Sequence, residues 1–165
     1  MRLEEIQFDV PAFSQPEAVR LTRVNAATLD NWLRYEHVPT IRAETGVREF
    51  AFSHLLKIDC IENLTTLFRM PPKVAADFAN RAVDQYRQGF ASDLADIASG
   101  APWPRAVRDL DAHFTFARDG DDVVELADGD ERSDSVMMVF PTRMIARRLI
   151  ANIRDDAVIQ ARAHG

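Results

Sequence analysis

Residues 13–53 read FSQPEAVRLTRVNAATLDNWLRYEHVPTIRAETGVREFAFS, and this stretch decides the fold. It opens on Ser14-Gln15-Pro16-Glu17, a capping-box spacing in which the serine oxygen and the glutamate carboxylate each take an orphan backbone N–H, while Pro16 is tolerated in the first turn. A short helix is predicted to about Thr22. Arg23-Val24 makes a turn, with Val24 plugging the gap between helices, and Asn25 is a good N-cap for a second helix over residues 26–36. On that helix Leu29, Trp32 and Leu33 fall at i, i+3 and i+4 and form the apolar stripe. Ala27, Thr28, Asn31, Arg34 and Tyr35 stay outside the stripe and face solvent.

Pro39 is expected to stop the second helix. Thr40-Ile41-Arg42 and Val47-Arg48-Glu49-Phe50-Ala51-Phe52 are strand-like runs around Ala43-Glu44-Thr45-Gly46, where Gly46 supplies a turn residue with positive φ. Two short helices, a tight turn and a hairpin make a winged helix-turn-helix, a shape that commonly lays one helix in the major groove of DNA.

Working outward, Ile6, Phe8 and Val10 alternate weakly before Pro11 and predict a short strand or an arm. Ser53 is expected to cap a third helix to about Phe68, buried through Leu55, Leu56, Ile58, Cys60, Ile61, Leu64 and Leu67. Pro71-Pro72 breaks it and starts a fourth, to about Gln88, with Val74, Phe78, Ala82 and Tyr86 along one side. Residues 92–99 can form a short helix, and Gly100-Ala101-Pro102-Trp103-Pro104 connects it to a helical turn over residues 105–110. Residues 113–117, 123–127 and 135–140 are β-rich and predict a three-stranded antiparallel meander. A closing helix over residues 141–158 is expected to cover one face of that sheet with Ile145, Leu149, Ile150 and Ile153. The predicted class is therefore α+β: a winged helix-turn-helix domain over residues 1–89, then an α+β domain over 90–165 that serves dimerisation or partner binding.

Composition narrows the function. At 165 residues, 47% hydrophobic and 28% charged, the chain has the make-up of an ordinary globular protein rather than a disordered one. MRLEEIQFDV lacks the basic region and apolar run of a secretory signal, and no apolar run approaches the roughly 20 residues of a membrane span, so a cytoplasmic bacterial protein is expected. A net charge of −6 argues against indiscriminate nucleic-acid binding, which depends on Lys and Arg neutralising phosphate. The acid is uneven: residues 14–57 are nearly balanced, and residues 119–134 are heavily acidic.

Other chemistry has little footing. The single Cys60 lies in an apolar helical stretch and reads as a buried, inert thiol. His37, His54, His113 and His164 show no ligand spacing to one another or to Cys60, and the acidic loop at 128–134 lacks the alternation and distal glutamate of an EF-hand. No nucleophile elbow, phosphate-binding glycine loop or Ser/His/Asp order is present, so no catalytic role and no cofactor are assigned. Arg143, Arg147 and Arg154 recur at helical intervals beside Arg148; they read as a solvated face, with a second basic surface as the sharper alternative.

Residues 13–80 resemble the DNA-binding domain of the MerR-type and excisionase-type regulators. The resemblance rests on the short first helix, Val24-Asn25-Ala26-Ala27-Thr28-Leu29 opening the second, Pro39, the wing segment Gly46-Val47-Arg48-Glu49-Phe50, and Ser53 before a leucine-rich helix. It implies a base-proximal role for Thr28 and a phosphate contact for Arg48. Three positions depart from the pattern: Arg23 stands at the usual turn glycine, Asp30 where a basic residue is normal, and Asn31 where an aromatic is usual. Asn31 is a side chain that can read adenine.

Two functions follow from different classes. The first is a transcriptional regulator that binds double-stranded DNA as a homodimer through Ala27, Thr28, Asn31, Arg34, Tyr35, Arg42 and Arg48. The second is a non-enzymatic interaction module, antitoxin-like or an adaptor, that keeps a degenerate helix-turn-helix as scaffold for a protein partner.

Overall fold

A computed structural model describes residues 3–42, 46–100, 111–119, 122–125 and 136–163. The chain is mixed α and β. Its elements run β1 (Phe13–Ser14), α1 (Gln15–Thr22), α2 (Ala26–Arg34), β2 (Ile41–Arg42), β3 (Arg48–Phe50), α3 (Phe52–Leu67), α4 (Pro72–Tyr86), α5 (Phe90–Ala98), β4 (Ala112–Asp119), β5 (Asp122–Glu125), β6 (Val136–Phe140) and α6 (Thr142–Ala163). The turn tip at 43–45, the helical turn expected at 105–110 and the acidic loop at 128–134 lie outside the described residues.

Local chemistry explains the first elements. Glu17 reaches back so that its Oε2 accepts both the Ser14 N–H at 2.8 Å and the Ser14 hydroxyl at 2.7 Å, which starts α1. Asn25 Oδ1 accepts the Ala27 N–H at 2.9 Å and starts α2. Between them Arg23 sits at φ +60°, the left-handed conformation that a glycine would take without strain. Val24 is buried as expected. Replacing Arg23 with glycine should therefore raise the stability by about 0.5–1 kcal/mol, read as a higher urea midpoint with an unchanged slope; a lower midpoint would show that Arg23 is held there by something other than the turn.

Helix α2 ends earlier than Pro39 would require. Glu36 also takes a left-handed φ of +59°, and the His37 N–H donates to the Trp32 carbonyl at 2.8 Å, closing the helix in a Schellman turn. The N-cap of α3 differs too: Ser53 is buried in its first turn, and the cap is Ala51, whose N–H donates to His54 Nδ1 at 3.2 Å. Burial lowers the His54 pKa, which favours the neutral ring that such an acceptor must be.

The arm before Pro11 forms a 3₁₀ turn at Leu3–Glu5 rather than a strand. Phe8 inserts into the core, with its ring 5.9 Å from Phe52 and 5.2 Å from Phe90, while Val10 is exposed. Strand β3 lies between β1 and β2, pairing Phe13 with Phe50 and Arg42 with Arg48. Helix α3 is buried nearly all round, as a central helix must be, except that Thr66 and Leu67 at its end are exposed. In α4 the core face is Ala75, Phe78, Ala79, Ala82 and Tyr86, with Val74 outside it.

The C-terminal strands are ordered β5-β4-β6, not as the predicted meander. Strand β4 is long enough to pair with β5, from Phe116 opposite Glu125 to Asp119 opposite Asp122, and with β6 along its other edge, where Phe114 meets Met138 and Ala112 meets Phe140. The cover of this sheet also differs from expectation. Phe114 packs edge-on against Phe78 of α4 at 4.5 Å, and Arg81 lies over both rings. Helix α6, with Ile145, Leu149, Ile150 and Ile153 buried, instead packs chiefly against α5 and α3, and also against α1 and α4. One cluster of buried residues runs from Ile6 to Ile153 and includes Phe90.

Candidate nucleic-acid interface

The outward residues of α2 are held in place from beneath. Leu29 and Trp32 are buried, and Leu33 packs against the same cluster, so the period of the helix turns Ala27, Asn31, Arg34 and Tyr35 to solvent and leaves Thr28 half-buried. Tyr35 is 66% exposed, with its ring stacked 6.1 Å from His37. Among the described residues, no hydrogen bond or ion pair holds the side chains of Asn31 or Arg34. At nine residues α2 is about 13 Å long, close to the major-groove width of about 12 Å.

The hairpin is brought to this face by a polar clamp that sequence reasoning did not find. Gln15 Nε2 donates to Asp30 Oδ1 at 2.7 Å, and Arg48 Nη1 donates to Gln15 Oε1 at 3.4 Å. Arg48 Nη1 then stands 3.8 Å from Asp30 Oδ1, with both side chains partly exposed. Three elements thus meet: the start of α1, the middle of α2 and strand β3. The backbone of Arg42 lies directly opposite Arg48 in the β2–β3 register; its side chain lies outside the described atoms. Asp30 is the counter-ion of Arg48 in the unbound protein, so an incoming phosphate would have to compete with it.

Helix α6 fastens this unit from behind α1. Arg20 makes a bidentate pair with Asp156, with Nε to Oδ1 and Nη2 to Oδ2 both at 2.8 Å, and Asn152 Nδ2 donates to the Leu21 carbonyl at 3.1 Å. Of the basic positions of α6, Arg148 and Arg154 are solvated as expected, whereas Arg143 and Arg147 are not. Arg147 is only 1% exposed, and its Nη1 donates to Asp93 Oδ1 at 2.5 Å. Arg143 donates to the same carboxylate at 2.7 Å, and the Tyr86 hydroxyl donates to Asp93 Oδ2 at 2.9 Å. Asp93 is fully buried beneath these three donors. The bond to Asp93 raises the Arg143 pKa, while burial and then the Asp93 charge push the Tyr86 phenol up, so the described network is ionised on Arg143 and protonated on Tyr86. Helical spacing alone concealed this, because Asp93 comes 50 residues before Arg143.

The remaining candidates carry little chemistry. Cys60 is fully buried, and burial raises its thiol pKa well above the ordinary value, which makes it a poor nucleophile. Among the described residues, no group of three His, Cys, Asp or Glu side chains is placed to hold a metal ion. No described helix is long and apolar enough to cross a membrane. No protein-family model matches the chain, and no curated protein matches it.

Proposed function

We propose that the chain is a non-enzymatic, sequence-specific DNA-binding regulator of the winged helix-turn-helix type, similar in plan to the MerR and excisionase proteins. In this reading α2 enters the major groove, Thr28 and Asn31 approach base edges, and Arg34, Arg42 and Arg48 meet phosphates on either side. The supporting observation is the juxtaposition of an outward α2 face, with Asn31 and Arg34 unengaged among the described residues, and a hairpin whose Arg48 is drawn to within 3.8 Å of that helix. Phosphate contacts set register and affinity, whereas base-edge contacts set preference. Pairing of two copies is part of the proposal, since a single short reading helix is a modest interface and two half-sites multiply affinity.

Selection of bound duplexes from a randomised library tests this division of labour. The wild type should enrich a defined motif, and Asn31→Ala and Thr28→Ala should each relax it at one position, with a loss of discrimination of about 1–3 kcal/mol. Enrichment of no motif by the wild type would remove the sequence-reading role.

A second reading is favoured by one observation: Asp30 already neutralises Arg48, on a chain of net charge −6. Under it the same face docks a protein, and the purified chain would carry a stoichiometric protein partner and no nucleic acid.

A further inference from the structure

A cavity of about 230 Å³ opens where the α1–α2 turn, α3 and α6 meet, lined among others by Arg23, Asp59, Asn63, Arg148 and Asn152. Its floor holds a carboxylate that the fold leaves half used. Asp59 is only 3% exposed; its Oδ1 accepts from Arg148 Nη2 at 2.7 Å and from Asn63 Nδ2 at 3.2 Å, and no described residue donates to its Oδ2. Desolvation holds the Asp59 carboxyl above the usual carboxylate range in spite of Arg148, so a further donor would relieve a cost already present.

Two amide groups in the lining are oriented by their own bonds. Asn63 Nδ2 also donates to the Asp59 carbonyl at 2.7 Å, and Asn152 Nδ2 donates to the Leu21 carbonyl, which leaves both Oδ1 atoms as acceptors. The Asp59, Asn63 and Asn152 oxygens can take the three donors of a primary ammonium, and Glu62 in the same lining adds a second carboxylate that favours a cation. Arg148, half exposed, and Arg23, exposed, supply guanidinium groups beside them for an anion. The volume lies below the roughly 300–1,000 Å³ typical of drug-sized ligands.

From these groups we infer that the cavity is a binding site for a free α-amino acid, its ammonium on Asp59, Asn63 and Asn152 and its carboxylate on Arg148 and Arg23. The inference is independent of whether α2 meets DNA, and its test contains no nucleic acid. The full chain is screened by thermal shift and then calorimetry against the proteinogenic L-amino acids, each paired with its N-acetyl derivative. At least one amino acid should raise the melting temperature and bind at one site per chain, while its N-acetyl form, lacking the ammonium, should not. Asp59→Asn should weaken that binding tenfold or more; should this variant fail to fold, Asn152→Ala should weaken it about tenfold, the loss of one charge-assisted hydrogen bond. Binding by no amino acid, equal binding of an N-acetyl form, or wild-type affinity in the folded variants would overturn the assignment.

Discussion

Replacing Asp93 with alanine is expected to lower the melting temperature by roughly 6–20 °C, the largest stability effect of any single substitution outside the apolar core. The carboxylate is fully buried and is shared by Arg143, Arg147 and Tyr86. Removing it takes from Arg147, itself 1% exposed, its 2.5 Å partner and leaves it a longer 3.2 Å contact with the half-exposed Asp96; breaking a buried pair from one side costs about 3–5 kcal/mol. That is a large share of the roughly 5–15 kcal/mol that holds a domain together. The paired change Asp93→Leu with Arg147→Met should be milder, because the most buried guanidinium of the network is then removed together with its counter-ion and only Arg143, which keeps some exposure, loses its partner. Thermal melts followed by circular dichroism decide it. An alanine variant within about 1 °C of wild type, or a double variant worse than the single one, would show that the network contributes little.

The same network reaches the α2 face through the fold. Asp93 ties α5 to α6, and α6 is tied to α1 by Arg20–Asp156 and to α3 by Arg148–Asp59. Loss of Asp93 should therefore impair any activity of the N-terminal elements indirectly, without changing its preference among ligands.

Charge reversal at Arg48 is the second large effect. Arg48→Glu should reduce affinity for duplex DNA roughly tenfold to a hundredfold, because the proposed phosphate contact would be replaced by repulsion. The loss should be nearly equal on all sequences and should make the slope of log affinity against log salt shallower by about one. The reversal also sets a second carboxylate beside that of Asp30, so Arg48→Gln serves as the control that keeps the charge change small; it should lose less affinity and fold as the wild type does. A loss confined to some sequences would mean that Arg48 reads bases instead.

Much of the local architecture was legible because its signals lie within a few residues of one another. Ser14 with Glu17, Asn25 with Ala27, and the i, i+3, i+4 spacing of Leu29, Trp32 and Leu33 each act within one helical turn. Gly46 takes φ +79°, as its place in the hairpin predicted. What escaped was non-local or disguised. Arg23, Glu36 and Arg69 all take positive φ without being glycine, a conformation that composition does not mark, although the ends of α1 and α3 fall within one residue of where the sequence put them. Strand β6 passes β5 to pair with β4, a choice of partner that strand-forming composition cannot rank. Arg147 looks solvated until Asp93 is placed against it. The outward residues of α2 were visible from periodicity, whereas the Gln15–Asp30–Arg48 clamp joins residues 15 and 33 positions apart and has no periodic trace.

The most direct test of the central claim, that the α2 face and the hairpin together bind duplex DNA, is fluorescence anisotropy on a duplex taken from the selection, titrated between about 50 and 200 mM salt. Three arginines on phosphates predict a slope near about −2.7 for each chain, or about a 40-fold loss of affinity over that range, and twice that slope if two chains bind together. Absence of binding, or an affinity indifferent to salt, would contradict the account.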